Sequence, residues 1–359
     1  MNNVRIIALY LPQYHPIPEN DKWWGKGFTE WTNVGKAKPL FRGHYQPRVP
    51  ADLGYYDLRL PEVRQAQADM AKEYGIEGFC YWHYWFGNGK RLLERPFNEV
   101  LNSGEPDFPF CLGWANHSWK GIYSGVKSKE SLIDQTYGGI SDYERHFYDI
   151  LPAFLDKRYI TVDGSPFFLI FDPFDIPDVN TFIDCWQNLA QKNNLQGIHF
   201  VAHSYFSEKI STLIDMGFDA VNTVRLFDYQ KKGISFLQKA VSKIKREIFN
   251  IGFYPEYKQT IQFFSGEEDY QVNVYPTIIP DWDHSARTGK YGTILKNSNP
   301  ELFGKHIEKT FQYLKSKPDQ HKIVILKSWN EWAEGNYIEP DLKFGRQYLE
   351  MLKKISSKI

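Results

Sequence analysis

An excess of charge of one sign is missing from this sequence. Its 43 Lys and Arg match 43 Asp and Glu, so the formal net charge is zero. A chain that grips nucleic acid by its phosphates carries a basic surplus, and nucleic acid is excluded as the main partner. Cysteine is scarce. Cys80, Cys111 and Cys185 are an odd number at wide spacing, which gives neither a disulfide framework nor a zinc pattern. Cys80 and Cys111 lie in apolar runs and read as core thiols. No apolar run approaches the ~18 residues of a membrane-spanning helix. The stretch Ile6–Tyr10 behind Met1 is too short for a secretion signal and lacks a small-residue cleavage site. It reads as a first strand, and the expected location is the cytoplasm. No repeat, low-complexity tract or Pro/Ser linker divides the chain, so a single domain over 1–359 is expected. G-x-G-x-x-G after the first strand, P-loop and G-x-S-x-G motifs are missing as well. Neither a cofactor nor a metal is expected.

Aromatic side chains are plentiful: 11 Trp, 23 Tyr and 26 Phe. Many stand in polar, Gly-rich stretches rather than apolar ones. A ring beside polar groups suits a sugar, which offers an apolar C–H face and a hydroxyl rim. The expected partner is therefore a glycan.

Short β-rich apolar runs alternate with helix-periodic segments. The strands expected are Arg5–Leu11, Gly78–Tyr84, Phe110–Trp114, Phe167–Phe171, His199–His203, Ala220–Val224, Val272–Ile279 and Lys322–Trp329. Helices are expected near 61–74, 94–102, 142–157, 179–192, 207–216, 233–249, 301–316 and 343–357. Leu349, Leu352 and Ile355 make the apolar stripe of the last one. Eight strand–helix units predict an α/β protein of the (β/α)8 TIM-barrel type, with long βα loops at the C-terminal face. An open doubly wound sheet is the alternative. About fifty residues follow the first strand before a helix, and 115–141 form a second long loop. Long loops in compact domains usually serve function. A third connection, 225–270, holds Lys231, Lys232, Lys239, Lys243, Lys245 and Arg246 among apolar residues. Such a basic amphipathic segment over 231–246 allows peripheral membrane contact, but a barrel helix with a solvated basic face is the reading preferred.

The strongest motif is Lys327-Ser328-Trp329-Asn330-Glu331-Trp332-Ala333-Glu334-Gly335, directly after the last strand. On a helical turn, Glu331 and Glu334 share one face. Two carboxylates side by side against indoles have their pKa values pushed apart, which suits one acid and one base. Trp329 and Asn330 are taken as substrate-binding neighbours. The loop after strand one supplies Tyr10, His15, Trp24, Glu30 and Trp31 as candidate wall or lid residues. The end of strand two supplies His83, Tyr84 and Trp85. Alternation sends Tyr81, His83 and Trp85 one way and Trp82 and Tyr84 the other. After strand three, Asn116, His117 and Trp119 read as hydroxyl-binding groups. After strand seven, Asp281-Trp282-Asp283 resembles a weak metal–nucleotide signature of sugar transferases, but Trp282, Asp283 and Arg287 are preferred as cleft walls.

Four motifs in order, Tyr10-Leu11-Pro12-Gln13-Tyr14-His15-Pro16, Gly27-Phe28-Thr29-Glu30-Trp31, Trp114-Ala115-Asn116-His117-Ser118-Trp119 and Trp329-Asn330-Glu331-Trp332-Ala333-Glu334-Gly335, resemble the WbsX family. That family is related to glycoside hydrolase family 99. The resemblance covers about residues 4–350. WbsX members are labelled glycosyltransferases and are often encoded with bacterial surface-polysaccharide genes. The family-99 relatives are retaining endo-acting α-mannosidases and α-mannanases on a (β/α)8 barrel. The resemblance implies that Glu331 and Glu334 are the catalytic carboxylates. Glu331 would take the proton of the sugar 2-hydroxyl, whose oxygen attacks C1 to give a 1,2-anhydro sugar. Glu334 would protonate the leaving oxygen and then activate water. Ordinary retaining enzymes place carboxylates about 5–5.5 Å apart on either side of the bond, which two residues of one short turn do with difficulty. This sequence departs from family 99 in Ala333, where the hydrolases often carry His, and in its Trp-rich loop 23–31. A retaining endo-α-glycosidase of the mannosidase or mannanase type is the reading preferred. A glycosyltransferase of O-antigen or capsular polysaccharide assembly and a non-catalytic glycan-binding barrel are the alternatives.

Overall fold

Eight runs of β-branched, aromatic and leucine side chains form strands that are almost wholly buried. They are β1 (Arg5–Tyr10), β2 (Gly78–Trp85), β3 (Phe110–Trp114), β4 (Ser165–Ile170), β5 (His199–Ser204), β6 (Ala220–Thr223), β7 (Val274–Ile278) and β8 (Ile323–Leu326). The computed structural model describes residues 4–120, 131–235, 252 and 254–358. Each strand pairs in parallel with the next in the chain, and β8 returns to β1 with Arg5 opposite Ile323 and Ala8 opposite Leu326. The sheet is a closed (β/α)8 barrel, and the open doubly wound alternative is excluded. Burial on both faces explains why the strands read as continuous apolar runs rather than alternating ones.

Helices follow where the periodicity places them: Pro61–Glu73, Arg95–Ser103, Ile140–Phe154, Val179–Lys192, Ile210–Asp215, Pro300–Gln312 and Gln347–Ser356. Local chemistry fixes their starts. Asp178 accepts from the Thr181 N–H at 3.2 Å, and Asn299 accepts from the Leu302 N–H at 2.9 Å with Pro300 behind it. The Leu349, Leu352 and Ile355 stripe faces the core. Among the described residues, no helix is long and apolar enough to cross a membrane. Most of the expected basic helix, residues 236–246, lies outside the described residues; Lys231 and Lys232 sit in a single wide turn, Tyr229–Gly233.

The stretch after β1 differs from the open loop expected. It contains two short helices, Pro18–Trp24 and Glu30–Lys36. Pro18 opens the first, and Thr29 with Thr32 caps the second. Seven-residue helices carry too few turns for periodicity to reveal them.

Candidate active site

The turn that follows β8 is tied to β1 by hydrogen bonds. The Trp329 N–H donates to the Leu9 carbonyl at 2.8 Å. Asn330 uses both ends of its amide on Leu11: Oδ1 accepts from the Leu11 N–H at 2.8 Å, and Nδ2 donates to the Leu11 carbonyl at 3.0 Å. The Tyr14 hydroxyl donates to the Asn330 carbonyl. Ser328 Oγ accepts from the Glu331 N–H at 3.0 Å. The Trp332 indole stacks on Tyr337, 3.7 Å between centroids, and donates to Glu339 at 2.6 Å. Gly335 ends the turn in the left-handed region, φ +67°, where an added Cβ would lie 2.8 Å from the Asp283 backbone nitrogen. That close approach brings the Asp283 N–H to the Glu334 carbonyl at 2.7 Å. Sequence thus becomes a rigid turn whose two carboxylates have one direction left, into the barrel mouth.

There they converge on Arg287, from the short helix Ser285–Thr288 after β7. Its guanidinium meets Glu331 at 2.7 Å and Glu30 at 3.2 Å, and it also pairs with Glu334. His284 stands 3.5 Å from Glu334, and Asn336 donates to Glu334 at 3.3 Å. The two carboxyls are driven apart electrically. Burial and the neighbouring Glu334 charge push Glu331 up to about 7, against the pull of Arg287 and Lys327. Burial also raises Glu334, but Arg287 and the His284 contact outweigh it and hold this carboxyl well below the usual range. Of the two carboxyls, Glu331 is the one held toward its protonated form and Glu334 the one held as carboxylate.

A cavity of about 450 Å³ opens over these groups at the C-terminal mouth of the barrel, the face where such barrels hold their sites. Trp24, Phe28, Tyr84 and Trp119 form one aromatic side: Trp24 lies 4.6 Å from Phe28 and 6.2 Å from Trp119, and Tyr84 lies 5.2 Å from Trp119. Trp82 lines the cavity with Phe171, and His203 packs against both rings. Gly113, opposite Trp82 in the sheet, has no side chain to collide with that indole. His117 lines the wall as a neutral ring, since burial lowers it to about 4. Lys327 also lines it, its ammonium over the rings of Trp282 at 5.4 Å and Tyr205 at 5.8 Å.

Of the residues singled out in the sequence, Trp24, Glu30, Tyr84, His117, Trp119, Arg287, Glu331 and Glu334 come together around this cavity. The others do not line it. Alternation along β2 points Trp82 and Tyr84 inward and sends His83 and Trp85 outward, where both rings meet His146. Tyr10 likewise faces the helix layer, its hydroxyl 2.7 Å from Gln67. His15 is buried against the Pro12 carbonyl. The Trp31 indole donates to the Tyr56 carbonyl at 2.8 Å and packs beside Trp332. Asn116 pins two loops together through the Asp172 backbone. Trp329 and Asn330 are wholly buried supports. Trp282 underlies Lys327. Asp283 is buried among His44, Gln46 and Arg48 and is held well below the usual carboxylate range: burial opposes this, but the His44 contact and the Arg48 charge prevail.

Lining residues not singled out include Gln13, Trp82, Asp172, Asp175, Tyr205, His284 and Lys327. Alternation already paired Trp82 with Tyr84, Lys327 stands inside the motif after the last strand, and His284 lies between the noted Asp283 and Arg287. The short loops bearing Asp172, Asp175 and Tyr205 carry no motif.

Fold and cavity define a (β/α)8 barrel with an aromatic- and carboxylate-lined cavity at its C-terminal mouth. The GH99 endo-alpha-mannosidase of Bacteroides thetaiotaomicron in complex with bis-tris-propane superposes with a TM-score of 0.61 at 14% identity, covering 100% of this chain and 98% of that one. A structure described as a glycoside hydrolase-like protein gives 0.63 at 14% identity, covering 99% and 94%. The sequence profile described as Glycosyltransferase WbsX matches residues 6–352, and the chain belongs to that family. A curated relative, the uncharacterized protein WxcX of Xanthomonas campestris pv. campestris (strain B100), is 34% identical over 352 residues, 97% of this chain and 49% of its own length. The chain thus spans about half the length of the curated relatives it matches.

Proposed function

We propose that this chain is a retaining, endo-acting α-glycosidase, mannosidase- or mannanase-like, that cleaves a bacterial polysaccharide or oligosaccharide through a 1,2-anhydro sugar. The observation that carries this reading is the convergence of Glu331 and Glu334 on Arg287 inside an aromatic-lined cavity at the barrel mouth. Two carboxylates on one turn serve oxygens on neighbouring carbons more readily than they flank one carbon. Glu331, as carboxylate, takes the 2-hydroxyl proton while O2 bonds to C1. The C1–leaving-group bond breaks and Glu334 gives its proton to the departing oxygen. Glu334 then takes a proton from water as that water attacks C1; the C1–O2 bond breaks, and Glu331 returns its proton to O2.

The roles require the proton on Glu334, whereas the surroundings raise the Glu331 carboxyl and lower that of Glu334. Substrate must therefore draw Arg287 off Glu334. Without the guanidinium, burial raises the Glu334 carboxyl toward the range of a general acid. Glu30, 3.2 Å from Arg287, is placed to receive the displaced guanidinium.

Glycosyl transfer is the second reading, favoured by the family's description. It would need a donor sugar. The Asp281-x-Asp283 pair offers little for a metal–diphosphate complex, because Asp281 pairs with Arg48 at 2.7 Å and Asp283 is enclosed by Arg48, His44 and Gln46. Incubation with polysaccharide, with and without nucleotide sugars, separates the two: release of oligosaccharide without donor supports hydrolysis, and donor-dependent chain growth supports transfer.

A further inference from the structure

Beyond the cavity, the loops after β4 and β5 leave two large rings in solvent. Phe174 is 48% and Phe206 42% exposed, and neither belongs to the hydrophobic core. Each stands beside cavity wall. Phe171 and Asp175 bracket Phe174 on one loop, and Tyr205 immediately precedes Phe206 on the next. The two loops meet through Lys209, whose N–H donates to the Phe206 carbonyl at 3.0 Å and whose ammonium lies 5.8 Å from the Phe174 ring centre. The Lys231 ammonium lies 3.9 Å from the Phe206 ring centre and pairs with Glu208 at 2.9 Å. Exposed apolar rings on two loops that also supply cavity-wall residues offer an interaction surface.

We propose that Phe174 and Phe206 form a distal subsite that stacks one pyranose unit of the glycan where its chain leaves the cavity. The inference rests on the glycan-cleaving reading above and deepens it. The C–H face of the sugar covers a ring, and the ammonium of Lys209 donates to its hydroxyls. The platform gives the protein a hold on chain beyond the scissile bond, which is what cleavage inside a chain uses.

The test compares the protein with its Phe174→Ala/Phe206→Ala variant on α-mannan and bacterial surface polysaccharides, and on aryl glycosides of the released sugar. Retention in gels cast with the polysaccharide, measured in a Glu334→Gln background, reads binding separately. On the polymer, kcat/KM is expected to fall roughly tenfold, the loss of about 1.4 kcal/mol of binding. On the aryl glycoside it stays unchanged, retention weakens, and Phe174→Trp/Phe206→Trp preserves both. Equal loss on short and long substrates, or no loss on the polymer, overturns the subsite while leaving the glycosidase reading intact. Ring-dependent association with anionic vesicles, with polymer cleavage and retention untouched, also overturns it. A parent protein that neither cleaves nor is retained by any glycan overturns both readings.

Discussion

Arg287 and Glu331 meet at 2.7 Å across the barrel mouth, one from the loop after β7 and the other from the turn after β8. The same guanidinium holds Glu334 and Glu30. One cation thus bridges three carboxylates, and it lowers the carboxyls of both Glu331 and Glu334. Replacing Arg287 by Met is expected to raise both glutamate carboxyls, Glu331 from about 7 and Glu334 from its low value, because the carboxylate forms lose their nearest positive charge. Side-chain carboxyl NMR titration of the free protein reads this directly. Any glycan-cleaving activity that remains should show its acidic limb at higher pH, and Arg287→Lys should fall between.

Stability should respond to pH with a definite sign. Glu331 and Glu339 are both pushed up to about 7, chiefly by burial. A carboxyl whose folded pKa is raised binds more protons folded than unfolded between about 4.5 and 7, so stability falls as pH rises through that window. For Glu331 the full effect is on the order of 3 kcal/mol. Glu331→Gln should therefore gain in Tm relative to the parent as pH is raised from 5 to 8. A pH-independent difference between the two curves would remove the assignment.

The two carboxylates should be separable by leaving group. Glu334→Ala is expected to abolish cleavage of polysaccharide while sparing part of the activity on glycosides with a good aryl leaving group, which needs no protonation. Glu331→Ala should spare neither, because O2 then has no base. A 2-deoxy substrate should bind without turnover, and its normal turnover would exclude the anhydro-sugar route.

The supports of the turn should matter without touching substrate. Asn330→Ala leaves the Leu11 N–H and carbonyl unpaired in the interior, at about 1–3 kcal/mol each. Gly335→Ala adds a Cβ at 2.8 Å from the Asp283 backbone in a left-handed conformation, at ~1–3 kcal/mol. Both should lower Tm. In the fraction that remains folded, kcat should fall more than KM changes, because the carboxylates lose their aim.

The barrel was legible because its strands are apolar runs separated by 3.6-periodic helices, and long elements survive local ambiguity. Glu331 and Glu334 were legible because carboxylates between tryptophans at a strand end have few other uses. Side-chain direction was harder. Period-two alternation allowed Tyr84 or His83 with Trp85 to face the cavity, but not all three, and sequence alone did not say which set. Asn330 and Asp283 are polar residues in motif positions, yet they serve backbone and ion networks that exist only after closure of β8 against β1. Lys327 reads as an ordinary charge beside a strand and becomes a buried cavity cation only through Trp282 and Tyr205. Asp172 and Asp175 reach the site from loops with no distinguishing pattern.

The most direct test is incubation of the purified chain with α-mannan and bacterial surface polysaccharides, without nucleotide sugar, followed by analysis of released oligosaccharides. Internal cleavage with retention of anomeric configuration is expected, and it is lost in both Glu331→Gln and Glu334→Gln while each variant stays folded and is retained by the polysaccharide. Full activity in either variant, or product only when a nucleotide sugar is supplied, would contradict it.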